Sequence, residues 1–423
     1  MMFKWIAAWA TTALMLTACG GGEDRTKAQV RLVNASSGYP SLDLIVDGQG
    51  RQAAVAYGAT ESYIEIDPGK TASNINSAGS STALLSFTPS LSKSNHYTLL
   101  AWGVQGALKQ LQLDEDLGAP DTNKTLLRIF NAAPDAGALD VYLTGSNDAL
   151  ASAVAVQSGA QVGVLGGYLT LTSATQRLRV TAAGSKTDVR LDVPALALAS
   201  KQVATLVLAP ASGGVLVNGL LITQQSSIVR QDMAYARVRA VAGMADGGSV
   251  SARVASNSLL TAVGSPAVAL YSLVPAGTQS VVVGVNSNTL PSTVFTLAAG
   301  ADYTLLVYGA LSAPTASWIA DDNHAPTDST QARIRLVNGL ATLATPLSMT
   351  ANFVPVPDTA ARGAASSYGS VKPTITGSLS VTAVNLSAPV YSATAQTFVA
   401  GAVYTLFVVG NDGSPTGILN QDR

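Results

Sequence analysis

Three polar residues recur at fixed spacing and are the first candidates for chemistry. Arg31, Asn34 and Asp43 stand in VRLVNASSGYPSLDLIVDG (Val30–Gly48), and Arg128, Asn131 and Asp140 stand at the same spacing in LRIFNAAPDAGALDVYLTG (Leu127–Gly145). Such a set is either a site or a structural brace. A second candidate is a pair of acidic segments, LDEDLGAPD (Leu113–Asp121) and IADDNHAPTD (Ile319–Asp328). Asp114, Asp116, Asp321 and Asp322 are the oxygen donors that a calcium ion between β-domains would use, since Ca²⁺ takes six to eight oxygens. Their spacing is not that of an EF-hand, and ordinary solvated linker charge is the competing reading. The chain has two histidines, His96 and His324, and a single cysteine. No HExxH, GxSxG or GxGxxG pattern occurs, so neither a His-based triad nor a zinc site is expected, and no cofactor is implied. PGKT (Pro68–Thr71) ends like a phosphate-binding loop, but the glycine that should open it is replaced by Ile64. No enzyme activity is expected.

The elements that carry these residues are strands. Alternation places Asp43 on the opposite face from Leu42 and Leu44, and Asp140 on the opposite face from Leu139 and Val141. Arg31 and Arg128 lie on the preceding strand, across a short loop. The expectation is that Arg, Asn and Asp tie the first two strands of a unit, with Asn and Asp also bonding loop backbone. Weaker copies begin at Val238 and Ile334. The third has Ala242 and Ser251 at the Asn and Asp positions, and the fourth keeps Arg335 and Asn338 but has Leu347 at the Asp position. A set that can be lost in later copies fits a replaceable brace better than a catalytic group.

Two further elements follow each copy. YGATESYIEIDPGK (Tyr57–Lys70) has counterparts in Ser265–Gly277 and Tyr368–Gly377, and a closing element reads YTLLAWG, ATLVLAP, YTLLVYG and YTLFVVG in the four copies. Short segments rich in Val, Thr, Leu and Tyr, alternating with period two and separated by Gly, Pro, Asn and Asp, predict strands and turns. The fold class is therefore all-β, with about four tandem immunoglobulin-like β-sandwich repeats at 29–117, 124–225, 235–322 and 331–423. TQQSSIVRQD reads as the linker between the second and third. His96, matched by Asp302 and Val403 in other copies, reads as a surface position.

These elements resemble the domain of unknown function 4397 family. Its pattern is an opening VRxxN(A/S) strand, a Pro- or Gly-containing loop, an Asp-bearing strand, a YG-S-Y element with a PG turn, and a closing YTLxxxG. The family implies a fold and a location rather than an activity.

The N-terminus bears on location. Lys4 precedes an apolar run, Trp5–Leu16, of signal-peptide length, followed by LTAC (Leu16–Cys19). This resembles the lipobox of bacterial lipoproteins, which implies a cleaved signal at 1–18, diacylglycerol and fatty-acyl modification of Cys19, and a flexible tether at 19–28. Gly20 after the cysteine implies the outer membrane by the same resemblance. Charged residues are only 12% of the chain, about half the usual share. The net charge of −1, with no Lys/Arg stripe, excludes nucleic acid as a partner on electrostatic grounds. Aromatics at 6% are too few for the girdles of a membrane β-barrel. The expected partners are the membrane, through the lipid anchor, and an envelope protein or glycan. The expected function is a structural or adhesive role at the cell envelope. The alternative is a glycan or small-ligand binding module using exposed aromatics such as Tyr39, Tyr142 or Trp102.

Overall fold

The opening strand of each repeat has apolar residues on both faces, with its arginine on the outer one, and apolar surface on both sides must be covered. The computed structural model describes residues 25–423; the expected signal, Cys19 and all but the end of the tether lie outside the described residues. Ala28–Asn34 is buried along its whole length. Val30 and Leu32 enter the core of their own unit, whereas Val33 joins a second core shared with the next unit.

In unit 1, Ala28–Asn34 pairs in parallel with His96–Val104 and antiparallel with Ile64–Ile66. Ala107–Asp114 completes this front sheet. The back sheet runs in the order Gln49–Ala56, Ser41–Val46, Ser73–Ser77, Ala83–Phe87. Leu42, Leu44, Ile75 and Leu99 fill the space between the two sheets. The same plan, parallel pair included, recurs three times: Lys124–Asn131 with Gln202–Pro210, Tyr235–Met244 with Asp302–Ala310, and Ala332–Leu340 with Val403–Asn411. The protein is all-β, a tandem array of two-sheet sandwiches. Among the described residues the helical segments are three short 3-10 turns, and no helix is long and apolar enough to cross a membrane.

The glycine that ends the closing element has a conformational cause. Gly103, Gly309 and Gly410 have φ of +110°, +107° and +92° where the chain turns into the last strand. A Cβ on Gly103 would fall 2.6 Å from the Ala107 carbonyl oxygen. Only glycine meets both demands without strain.

The units pack in pairs. The outer faces of the front sheets of units 1 and 2 bury Val33, Leu100, Trp102 and Leu113 against Phe130, Val207, Leu220 and Ile222. Trp102 meets the Phe130 ring edge-on at 5.2 Å. Units 3 and 4 use the equivalent faces, with Val241, Leu306 and Tyr308 against Val337, Phe407 and Val409.

Two boundaries differ from the sequence reading. Part of TQQSSIVRQD is not linker: Ile228–Gln231 adds a fifth strand beside Gly219–Ile222. In unit 4 the loop after the opening strand is one residue longer. Leu347 faces Ala383 and is fully buried, as Leu42 faces Ser77 in unit 1, so the residue in the Asp position is Ser348 rather than Leu347.

Candidate functional site

Arg31 and Asp43 do not meet. Arg31 shares its side of the strand with Val33, so it points out of its sandwich toward the neighbouring unit, whereas Asp43 lies on the other sheet. The expected tie between Arg and Asp is absent for that reason, and two separate constellations take its place.

The first is built around the arginine. Arg31 Nε donates to Thr98 Oγ1 at 2.8 Å. Arg128, Arg239 and Arg335 make the same bond to Thr205, Thr304 and Thr405 at 2.9, 2.9 and 3.0 Å. The threonine is the second residue of each closing element, and the parallel pairing sets arginine directly beside it. Each guanidinium also lies over a tyrosine ring, Tyr63, Tyr168, Tyr271 or Tyr368, at 4.6 to 4.9 Å. A carboxylate at the end of the last strand or just after it completes the set in three units: Glu115, Asp321 and Asp422 accept from the threonine hydroxyl at 2.7, 2.6 and 2.5 Å. Unit 2 has Gln224 at that place.

In units 3 and 4 the ion pairs cross between units. Arg239 of unit 3 donates to Asp422 of unit 4 at 2.5 Å, and Arg335 of unit 4 donates to Asp321 of unit 3. All four side chains are at most 3% exposed. Burial alone would push the Asp321 carboxyl up, but the Arg335 and Arg239 guanidiniums, with the Thr304 and Tyr271 hydroxyls, hold it below the usual carboxylate range. Burial raises the Tyr63, Tyr271 and Tyr368 hydroxyls, so all three stay protonated; Tyr63 donates to Glu115 and Tyr271 to Asp321. In the first pair, Arg31 bonds Glu115 of its own unit at 2.9 Å and donates to the Thr223 and Ser226 carbonyls of unit 2. With unit 2 lacking the acid, the crossing is carried by backbone instead.

The second constellation holds loops and strand irregularities. Asn34 Nδ2 donates to the Tyr39 carbonyl at 2.9 Å, and its Oδ1 accepts from the Ser36 N–H at 3.0 Å. Asn131 bonds its own loop in the same way, and Asn338 accepts from the Leu340 N–H of its loop while donating to the Ala360 carbonyl. Where unit 3 has Ala242, the Ser265 hydroxyl accepts the corresponding N–H, that of Met244, at 3.1 Å. Asp43 accepts from the Ala54 and Gly79 amides at 2.7 and 2.8 Å, and Asp140 from Gly159 and Gly184 at 2.7 and 2.9 Å. Each Asp sits where the strand register shifts, opposite a residue at φ of +54° or +59°. The carboxylate thus replaces the ladder partner that a bulge removes. Ser251 does the same for Ala262, at 3.0 Å, beside a third register shift.

A family model described as Domain of unknown function (DUF4397) matches residues 28–142 and 236–350, more than half of the chain. The chain belongs to this family. Each match runs through one whole sandwich and into the first strands of its paired neighbour. No curated protein matches the sequence. Among solved structures the chain is similar to the Bacillus anthracis TIE protein, at 8% identity and a TM-score of 0.15. That comparison covers 87% of this chain and 66%, just under two thirds, of the other, and it is too loose to carry an argument.

Other candidate residues take structural places in these DUF4397 units. The four aspartates proposed for calcium do not converge. Asp321 is enclosed by cations and hydroxyls, and Asp322 bonds Arg333 at 2.7 Å and His324 at 2.6 Å. Asp116 bonds the His96 backbone and ring in the other pair, and Asp114 lies near Gln112. Among the described residues no group of three His, Cys, Asp or Glu side chains is placed to hold a metal. His96 is not a surface position. It and Asp302 are buried, Asp302 in a two-bond pair with Arg237 at 2.9 and 2.5 Å. Tyr39, Tyr142 and Trp102 are buried too, Tyr39 in the core of unit 1 and Trp102 between units 1 and 2, so they offer no exposed platform for a sugar.

Sequence reasoning missed the threonine and the tyrosine of the first constellation. Both had a signal. The Thr is the one polar residue common to all four closing elements, and one Tyr per unit immediately precedes the residue facing Val30, Leu127, Val238 or Ile334.

Proposed function

We propose that this protein is a lipid-anchored component of the bacterial cell envelope with a structural or adhesive role, holding paired β-sandwiches away from an outer-membrane anchor at Cys19. One observation carries the reading: the arginine, threonine and tyrosine of every unit, with the carboxylate present in three, hold strands and units together. In units 1, 3 and 4 the arginine, threonine and carboxylate are buried at the seams, and a half-buried tyrosine covers each arginine. That fits a stiff spacer or display stalk rather than an enzyme. The lipobox resemblance supplies the anchor, and more than one acyl chain makes such an anchor stable.

The test is metabolic labelling with palmitate in the native host, followed by membrane fractionation. Wild type should take up label and sediment with the outer membrane, and Cys19→Ser should lose both. Equal labelling of the variant would remove the anchor and with it this reading. Cross-linking on intact cells then identifies the envelope protein or glycan displayed against the stalk.

A further inference from the structure

Comparison of the four units with one another shows where the third departs from the rest: a cavity lies between its two sheets. On the back sheet, Ile75, Val180, Val283 and Val381 are equivalent, and the neighbouring strand offers each a partner. In units 1, 2 and 4 that partner is Leu85, Leu191 or Tyr391. Leu191 is fully buried, and the Tyr391 ring lies where a side chain on Gly417 would stand, against the front sheet of unit 4. In each of these units a large side chain closes the gap between the two sheets at one edge.

Unit 3 has Pro291 there. The Leu290 N–H bonds the Val283 carbonyl at 2.9 Å, as the Val390 N–H bonds Val381 at 2.7 Å, which fixes the correspondence of Pro291 with Tyr391. Proline cannot donate to the ladder, and it sits on an edge strand, as proline in a sheet must. The strand is accordingly broken, into Asn288–Thr289 and Thr293–Leu297. The plug is gone, and a cavity of about 450 Å³ opens between the sheets.

Its wall is formed by Val281, Val283, Leu305 and Trp318, with Pro291 at the mouth and Thr293 and Thr315 as the polar groups. Trp318 is held by a stack on Phe295 at 4.3 Å and an edge contact with Tyr303. No charged residue lines the cavity. We propose that this cavity is a binding site for a small, uncharged, apolar molecule. The size falls in the range of small-molecule sites, roughly 300–1,000 Å³, and a largely hydrophobic wall with few polar groups is their usual character. A charged ligand would give up its hydration with no partner to replace it. Two threonine hydroxyls can orient one neutral oxygen or nitrogen. Val294, 72% exposed at the rim, leaves apolar surface that an occupant would cover. This site is independent of the anchor and of the seams between units.

The test is titration of the full chain with the neutral fluorophore N-phenyl-1-naphthylamine, read by energy transfer from tryptophan and by the melting temperature. Its sulfonated analogue, 1-anilinonaphthalene-8-sulfonate, serves as the charged control. Two variants close the cavity from opposite walls: Pro291→Leu restores the plug residue of units 1 and 2, and Ala316→Leu fills the space from the front sheet. Wild type should bind one neutral probe per chain and melt higher with it, and each variant that folds should weaken binding by roughly tenfold or more. Trp318→Phe should remove the energy transfer while leaving the thermal shift. The proposal is overturned if wild type shows no saturable binding, if binding survives Ala316→Leu unchanged, or if the sulfonate binds as tightly as the neutral probe.

Discussion

Replacing Asp321 by alanine isolates the crossed seam of units 3 and 4. The carboxylate accepts from Arg335, from the Thr304 hydroxyl at 2.6 Å and from the Tyr271 hydroxyl at 2.6 Å, and it lies 4.0 Å from Arg239 Nε. Its loss leaves two guanidiniums, each at most 3% exposed, with one carboxylate between them, Asp422. Removing one partner of a buried ion pair costs about 3–5 kcal/mol, because the remaining charge stays out of water unpaired. For a body of roughly 150–250 residues each kcal/mol moves the melting temperature by about 2–4 °C, so the expected fall is roughly 6–20 °C. Differential scanning calorimetry at neutral pH is the assay. Each pair shares one buried interface, so two transitions are expected, and only that of units 3 and 4 should move. A variant that melts like wild type, or that shifts both transitions equally, would refute the claim that Asp321 locks this seam.

Two further outcomes follow from the same geometry. Asp140→Ala strands the Gly159 and Gly184 amides and should destabilise unit 2 by about 1–3 kcal/mol in chemical denaturation, with units 3 and 4 unaffected. The pH dependence is set at the junction of the two pairs, where the Asn323 N–H donates to the Gly213 carbonyl at 3.3 Å and the Ala325 N–H to Asp135 at 2.8 Å; there the hydrogen bond to Asp322, opposed by burial and helped by the nearby Asp135 charge, raises the His324 imidazole above its usual value. A raised histidine contributes stability that is fully present below its unfolded value of about 6.5 and is lost as pH rises through its folded value. Amide exchange around Gly213–Val215 and Asn323–Ala325 should therefore quicken as pH rises through neutrality once corrected for intrinsic rates. His324→Gln should abolish that rise.

Much of the architecture was legible in the residues. Period-two alternation, Gly and Pro punctuation and the repeated VRLVN and YTLxxxG elements imply tandem sandwiches, and they are present. The face of each side chain was legible as well: Arg31 has the parity of Val33, not of Val30, which already aims it away from the sheet that carries Asp43. What the sequence did not display was the second layer of packing. Arg31 and Trp102 look like surface chemistry until a second sandwich covers them, and His96 does until Tyr63 and Asp116 of its own unit enclose it. The one hint of that cover is the apolar residue that follows each arginine on the outer face, Val33, Phe130, Val241 or Val337. The bulge role of Asp43 and Asp140 was hidden for a different reason. Ala54 adopts φ of +54° without being a residue type that signals it. The extra loop residue in unit 4 likewise displaced the alignment by one, because a one-residue slip moves every later side chain to the other face.

The central claim is that the repeated arginine, threonine, tyrosine and carboxylate fuse four sandwiches into two mechanical bodies. Single-molecule force spectroscopy on the full chain, pulled from both ends, tests it most directly. The account predicts two principal rupture events, each releasing the contour length of a pair of units, with the event from units 3 and 4 falling to lower force in Asp321→Ala. Four separate events of equal length, each releasing one unit and unmoved by that substitution, would contradict it.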